Sequence, residues 1–546
     1  MKNESVISIH GSHNGGIAAY HDGSLYIVEA EKFFGMKNSG FCQYKIPHQD
    51  KIAFSFQSCL EFLQRKYNLP SRFNTCLHQS ADYVIGNDRL DLLDLVDHDK
   101  AILCNHHESH ANGSFYQSDF LEALVISYDG GGNDGQFNIY LADRKKGVNL
   151  IRNYFMVNLG FPYMVFGHFF SDISQETLSE GNLVYSGKIM GLEAFGQVIE
   201  RWLPFFEDFY DCPMHANLLN QEDDFFYKKK LDKLTENTNI IFHEEQRLGG
   251  QIEYDVAATS QRAFENVFLK YTRPYIEKYP DLPIILTGGC ALNISLNTRI
   301  KDEFKRPMFI APNSSDCGLP LGMLLGYLRP DKRFDATYAG LPLLDKDSYL
   351  SIMGLNLLSH GNESAVSDVN LSDLAAKLKE GDIIGVSRGK AEHGPRALGN
   401  RSILCNPSVE GMKEKLNDNV KHREWFRPFA PVVRLEDVNK YFVFEGESRF
   451  MSYACKVKKK WKKRLASITH IDGTARVQTV TRDQNPWLYD LLTHFNKIND
   501  HGVLLNTSLN VNGKPIVSTI QESILMLEHG LDSVVIEDRI ISKNDI

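Results

Sequence analysis

Leu121–Asp129 is an apolar run that meets Gly130-Gly131-Gly132-Asn133-Asp134-Gly135 and resumes as the alternating segment Gln136–Ala142. An apolar run, a glycine-rich turn and a period-two alternation predict strand, turn and strand. Such a hairpin can turn its backbone N–H groups toward an anion such as phosphate. The N-terminus is built in the same way. Val6–His10 and Gly15–Tyr20 read as strands, His21-Asp22-Gly23 as a hairpin turn and Ser24–Glu31 as a third strand. Further on, Pro283–Thr287 ends in Gly288-Gly289 before a helix expected from about Ala291, where α/β folds hold nucleotides.

At 546 residues and 42% hydrophobic, the chain has material for more than one core. The pattern weakens across 335–365 into Gly, Pro, Asp and Ser, which predicts one unit over 1–350 and a second over 365–546. In the second, Ser372 is expected to cap a helix that stops at Gly381, ahead of a strand over Asp382–Val386. Residues 200–250 read as an insertion or irregular helical segment, and no internal repeat is visible. No apolar run approaches the roughly 20 residues of a membrane span, and the start lacks the apolar stretch of a signal peptide, so a cytoplasmic location is expected. Nine cysteines without a CxxC pair suggest neither a disulfide framework nor a zinc knuckle. The net charge of −9 divides unevenly: from residue 371 onward it is +5, and the preceding residues sum to −14. The anionic ligand is expected in the positive half.

Several segments carry chemistry. His106 and His110 are spaced i, i+4 in His106-His107-Glu108-Ser109-His110, so on a helix both imidazoles face one side and can share a metal ion. The same spacing also occurs on ordinary polar helix faces. Asp316, ahead of the apolar helix expected over Leu319–Leu328, is the candidate oxygen ligand; the alternative is that it caps that helix. The stretch 389–402, including Gly394-Pro395-Arg396-Ala397-Leu398-Gly399 and Arg401, interleaves guanidinium groups with glycine. Lys421-His422-Arg423-Glu424-Trp425-Phe426-Arg427 follows it. Glycines let backbone approach a ligand and guanidiniums grip phosphate through paired hydrogen bonds. Thr469–Thr479, with Arg476, and Leu505–Val517, with Ser508, add hydroxyl, amide and guanidinium groups.

Together with Gly187-Lys188-Ile189-Met190-Gly191-Leu192 and Gly288-Gly289-Cys290-Ala291-Leu292-Asn293, these motifs span nearly the whole chain. The chain resembles the family of the nodulation-factor carbamoyltransferases and the antibiotic carbamoyltransferases of tobramycin, cephamycin and novobiocin biosynthesis. The resemblance implies an α/β protein with an N-terminal actin-like ATPase domain and a C-terminal YrdC-like domain. It implies ATP and carbamoyl phosphate as substrates, joined as carbamoyl-adenylate in the second domain, with transfer to an acceptor hydroxyl in the first. Arg396, Arg401, Lys421, Arg427, Arg476 and Ser508 would hold carbamoyl phosphate and ATP. Gly130, Gly131, Gly288, Gly289 and Asn293 would hold the adenylate, and His13 and Lys37 would contact adenylate or acceptor. Arg396, Arg476, His13 and Lys37 are the expected catalytic groups. His106, His110 and Asp316 would bind iron or zinc, with magnesium accompanying ATP.

Two departures from the family pattern are His13-Asn14 for His-Asp and Glu29-Ala30-Glu31-Lys32-Phe33 for Glu-Glu-Arg-Phe, both expected to bear on the acceptor site. The acceptor is either a small molecule such as a natural product or a 5-hydroxymethyl pyrimidine, for example 5-hydroxymethylcytosine, in a nucleotide or DNA. For the latter, Lys456, Lys458, Lys459, Lys460, Lys462, Lys463 and Arg464 around Trp461 form a basic run able to track phosphates. A tRNA threonylcarbamoyl-transfer enzyme would share the fold but needs basic surface on the acidic half. An actin-class kinase would have no use for Thr469–Gln478 or Asn506–Asn510.

Overall fold

The computed structural model describes residues 4–41, 49–79, 82–85, 88–154, 157–173, 182–211, 221–243, 246–346 and 366–543. Of the expected boundary at 335–365, residues 347–365 lie outside them, as do Cys42 and Cys212.

The N-terminal half contains two five-stranded sheets. The first has the order Ser24–Glu29, Gly16–His21, Val6–His10, Arg72–His78, Asp97–Leu103, antiparallel up to Val6–His10 and parallel beyond it. The second runs Gly147–Asn153, Gly135–Asp143, Glu122–Gly132, Ile284–Thr287, Met308–Phe309, again antiparallel and then parallel. This duplicated order is that of the actin-like fold. The chain therefore contains a repeat after all, one of hydrogen-bonding order and not of residues, which is why periodicity along the sequence does not reveal it.

Between the sheets lie two helices. Leu319–Leu328 packs on the first sheet and His106–Gln117 on the second, and they cross each other. Gly113 and Gly322 make that crossing possible. A Cβ on Gly322 would stand 2.1 Å from the Ser109 carbonyl oxygen, and one on Gly113 would stand 3.1 Å from the Gly322 Cα. Ala111, Phe115, Leu321, Leu324 and Leu325 fill the space with side chains from both sheets. The stretch around 200–250 contains the helices Leu203–Tyr210 and Gln221–Thr238, with irregular backbone from 239 to 243 and from 246 to 250. Phe206, Phe209 and Tyr210 lie in the core against the long helix Gln251–Lys278.

The C-terminal half is an eight-stranded mixed sheet whose central strands are Ser533–Ile536, Ile384–Ser387, Arg401–Cys405, Val503–Ser508 and Ala430–Arg434. Helices Leu371–Glu380 and Pro486–Ile498 pack together through Leu374, Leu378, Leu488, Leu491 and Leu492. The cap of the first helix is Asn370, not Ser372. The Asn370 side chain accepts from the Ser372 N–H at 2.9 Å, while the Ser372 hydroxyl lies 2.9 Å from His494 Nδ1. Gly381 ends the helix in the left-handed conformation, as expected.

The two halves are joined by buried polar contacts. Lys32 reaches Glu29 within its own half at 2.7 Å and the carbonyls of Glu392 and Gly394 across the junction at 2.6 and 2.9 Å. Gly394, at φ +126°, lies so close to the Pro312 carbonyl that a Cβ would come within 2.3 Å of it. Among the described residues no helix is long and apolar enough to cross a membrane.

Candidate active site

The helix His106–Gln117 starts where the second sheet's glycine turn folds back. Asn133 Oδ1 accepts from the His106 N–H at 2.8 Å and Asp134 Oδ1 from the His107 N–H at 2.9 Å, so the turn satisfies the helix's free donors. His107 is fully buried with its ring nitrogens 2.8 Å from Ser127 Oγ and 3.0 Å from the Gly135 carbonyl, and burial pushes its pKa down to about 4. It locks the helix to the sheet. His106 and His110 instead point into one cluster with Asp316 and Asp129, and the donor atoms of all four lie within 4.8 Å of one another.

In that cluster His110 Nε2 is 3.3 Å from both Asp316 Oδ1 and Asp129 Oδ2, and His106 Nε2 is 3.6 Å from Asp316 Oδ1. The two Nε2 atoms face each other at 3.1 Å. Burial pushes His106 down to about 4. At His110 burial acts the same way, but the two carboxylates outweigh it and raise the group to about 9. Asp316 Oδ1 is buried without a hydrogen-bond partner. Two imidazoles and two carboxylates converging on one buried point form a donor set suited to zinc or iron. Asp316 does not cap the helix Leu319–Leu328, whose N-cap is Gly318.

Asp129 is the member that the sequence reading missed. It reads there only as the end of an apolar strand; the one available signal is a carboxylate placed directly before the glycine run. The N–H groups of Gly130 and Gly289 both donate to its carboxylate and aim it. The glycines expected to hold an adenylate therefore orient a candidate ligand in this structure. Gly131 is half-buried beside them, and the Gly288 N–H donates to the Ser314 carbonyl at 2.9 Å. Asn293 differs from expectation more strongly. Its side chain caps the helix Ile294–Phe304 and pairs with Gln261 through both amide atoms, so its polar groups are already engaged.

A second cluster is cationic and lies at the junction of the halves. Arg396, Arg423, Arg427 and Arg476 stand close enough that burial and mutual repulsion hold Arg396 down to about 10 and Arg423 and Arg476 well below the usual guanidinium range. The Nε atoms of Arg423 and Arg476 are buried without partners. Burial, Arg423, Arg427 and Lys37 depress Lys421, whose ammonium is fixed by the Ser508 and Asn510 carbonyls at 2.8 and 2.7 Å, by Asn510 Oδ1 at 2.6 Å and by Ser508 Oγ at 3.3 Å. Lys37 comes from the N-terminal half, and burial together with Arg427 lowers it. Lys37 is thus brought to the cation cluster, while His13 lies at the metal cluster, its Nε2 3.5 Å from Asp316 Oδ2.

Arg401 departs from its expected role. Fully buried, it gives its NH1 and NH2 to the carbonyls of Arg388, Gly389 and Asn400 at 2.7–3.0 Å, which shapes the loop leading to Arg396. Lys32 does not face an acceptor either, since its ammonium is engaged at the junction. Arg423, a member of the cluster that the sequence does not distinguish from its neighbours, stacks its guanidinium on the Phe429 ring at 4.1 Å.

Two family models match this chain, Carbamoyltransferase N-terminus over residues 55–324 and Carbamoyltransferase C-terminus over residues 375–543. The nodulation protein NolO of Bradyrhizobium diazoefficiens is 32% identical over 459 residues, covering 80% of this chain and 79% of that protein. The 3'-hydroxymethylcephem-O-carbamoyltransferase of Amycolatopsis lactamdurans is 33% identical over 290 residues, 52% of each chain. Among solved structures, full-length HypF in its phosphate- and nucleotide-bound form has 14% identity and a TM-score of 0.37 over 59% of this chain and 46% of that one, a likeness that carries no argument. With both family models spanning its two halves, the chain belongs to the carbamoyltransferase family and is a carbamoyltransferase enzyme.

Proposed function

We propose that the protein uses ATP and carbamoyl phosphate to carbamoylate a hydroxyl group of a small molecule, in two steps at the two clusters. The observation that carries this reading is the crowding of four guanidiniums, Arg396, Arg423, Arg427 and Arg476, in which the Nε atoms of Arg423 and Arg476 are buried without partners. A polyanion offsets the repulsion within such a set through charge-assisted hydrogen bonds.

In the first step water hydrolyses carbamoyl phosphate to carbamate and inorganic phosphate. The carbamate oxygen attacks the α-phosphorus of ATP and pyrophosphate leaves, giving carbamoyl-adenylate. The guanidiniums bind the phosphates and stabilise the charge that builds on the transferred group. Lys421 fixes the Ser508–Asn510 turn through its four contacts and adds charge to the same wall. In the second step the acceptor oxygen attacks the carbamoyl carbon and AMP leaves. A metal ion held by His106, His110, Asp129 and Asp316 would supply Lewis-acid polarisation of the adenylate. His107 and the N–H groups of Gly130 and Gly289 hold the ligands in place. The hydroxymethylcephem O-carbamoyltransferase of Amycolatopsis lactamdurans supports a hydroxyl on a small molecule as acceptor.

The test is to incubate the enzyme with ATP, carbamoyl phosphate and a panel of hydroxyl compounds, reading the mass gain of one carbamoyl group. Asp129→Asn should still release pyrophosphate while transferring nothing. Pyrophosphate release without carbamoyl phosphate, or full transfer by metal-free Asp129→Asn, would refute the scheme.

A further inference from the structure

We propose that Asp316 bridges two divalent cations, the second held by His10 and His13. This extends the metal reading of the transfer site. The two oxygens of Asp316 face different imidazole pairs. Oδ1 meets His110 and His106 at 3.3 and 3.6 Å, whereas Oδ2 meets His13 and His10 at 3.5 and 3.9 Å, each through Nε2. Donors sharing a tetrahedral ion at bond lengths near 2.1 Å lie about 3.4 Å apart. The distances of both imidazoles from Oδ2 lie within about 0.5 Å of that value. A carboxylate with one oxygen on each ion suits the separation of about 3.5–4 Å found in two-metal sites.

His10 supplies the independent observation. It ends the strand Val6–His10, is 4% exposed, and its Nε2 is buried without a hydrogen-bond partner while aimed at Asp316. Buried polar atoms rarely stay unpaired unless a ligand completes them. His13 is held from its other side, with the Asn14 amide 3.5 Å from His13 Nδ1, as outer partners orient ligating imidazoles. The turn itself is clamped, because the Asn14 and Gly15 N–H groups donate to the Asn38 and Ser39 carbonyls. Three protein donors leave positions open on the second ion, and the His13 side chain is 47% exposed. That opening suits an oxygen ligand of the water or alcohol class, so the second ion would sit where an acceptor hydroxyl arrives.

The experiment is elemental analysis of the full chain loaded with zinc or cobalt and freed of excess, with circular dichroism confirming the fold of each variant. Wild type should retain two ions per chain, and His10→Gln and His13→Gln one each. Cobalt-loaded wild type should show magnetic coupling between the ions that both variants lose. Because His13 is partly exposed, its variant keeps the test valid if His10→Gln fails to fold. One ion per wild-type chain, lost in His106→Ala, would overturn the second site and leave the first; no bound ion would overturn both. Two ions retained in both glutamine variants would also overturn the assignment.

Discussion

Lys188 Nζ lies 2.7 Å from Glu424 Oε1, and the other oxygen of that carboxylate is 3.3 Å from Arg427. Lys188 belongs to the helix Asn182–Leu192 of the N-terminal half and Glu424 to the C-terminal half, so one carboxylate couples the halves beside the cation cluster. Burial works against the Glu424 charge, but Lys188 and Arg427 outweigh it and keep the carboxyl below its usual range.

Replacing Lys188 by Met leaves Glu424 to Arg427 alone. Loss of one of its two partners should cost about 1–3 kcal/mol and raise the KM for carbamoyl phosphate severalfold. Thermal unfolding of Lys188→Met, Glu424→Gln and the double variant checks it, since paired residues must show non-additive losses.

Arg476→Ala removes a buried guanidinium that has Arg396, Arg423 and Arg427 as neighbours. Carbamoyl phosphate-dependent pyrophosphate release should fall by roughly 100- to 1000-fold, the scale of one lost charge-stabilising donor. Arg423→Ala should behave alike, and both should keep the circular dichroism spectrum of wild type. Pyrophosphate release at the wild-type rate would remove Arg476 from the activation site.

Gly322→Ala should part the crossed helices that bring Asp316 to His110. The added Cβ meets the Ser109 carbonyl at 2.1 Å, and overpacking of this kind costs about 1–3 kcal/mol. Metal affinity, measured by equilibrium dialysis, should fall with it. Gly187→Ala is the control, since its Cβ meets nothing within 4 Å and the change should raise helix stability by up to about 1 kcal/mol.

His393 joins the halves as a neutral imidazole. Asn313 donates to Nδ1 at 2.7 Å and Nε2 donates to the Cys317 carbonyl at 3.0 Å, while burial, with Lys32 adding to it, pushes the pKa down to about 3. The unfolded group titrates at its ordinary value of 6.5. Its contribution is therefore complete above pH 6.5 and is lost as pH falls toward 3, by up to about 1.4 kcal/mol per pH unit. Denaturant unfolding across that window should show a flatter pH slope for His393→Gln than for wild type.

The basic run is anchored by its aromatic residue. Trp461 Nε1 donates to the Lys440 carbonyl at 2.9 Å and its ring packs edge-on against Tyr441 at 4.9 Å. Lys459, Lys460, Lys462 and Lys463 are exposed. Replacing these four by Gln should leave the KM of a small neutral alcohol unchanged. With a DNA acceptor each lost phosphate contact would instead lower the log–log salt slope by roughly 0.7–0.9.

The sequence by itself determined what is local. Period-two alternation marks the strands around Gly130–Gly135, and the i, i+4 spacing of His106 and His110 puts both on one helix face, because backbone hydrogen bonding within a few residues sets those periods. It also located the arginine-bearing segments of the cationic cluster. Only the tertiary structure decided which groups converge. Asp129 joins His106, His110 and Asp316 because a helix crossing at two glycines and the N–H groups of Gly130 and Gly289 aim it there. Lys37 reaches the cations of the other half and Lys188 its Glu424, Arg401 and Asn293 turn inward to hold backbone and helix, and Lys32 bridges the halves. No periodicity encodes these meetings. Closing such long loops costs chain entropy that no single contact offsets, so the partners of each charged group are fixed only when the whole core, which buries both sheets and their helices at once, has formed.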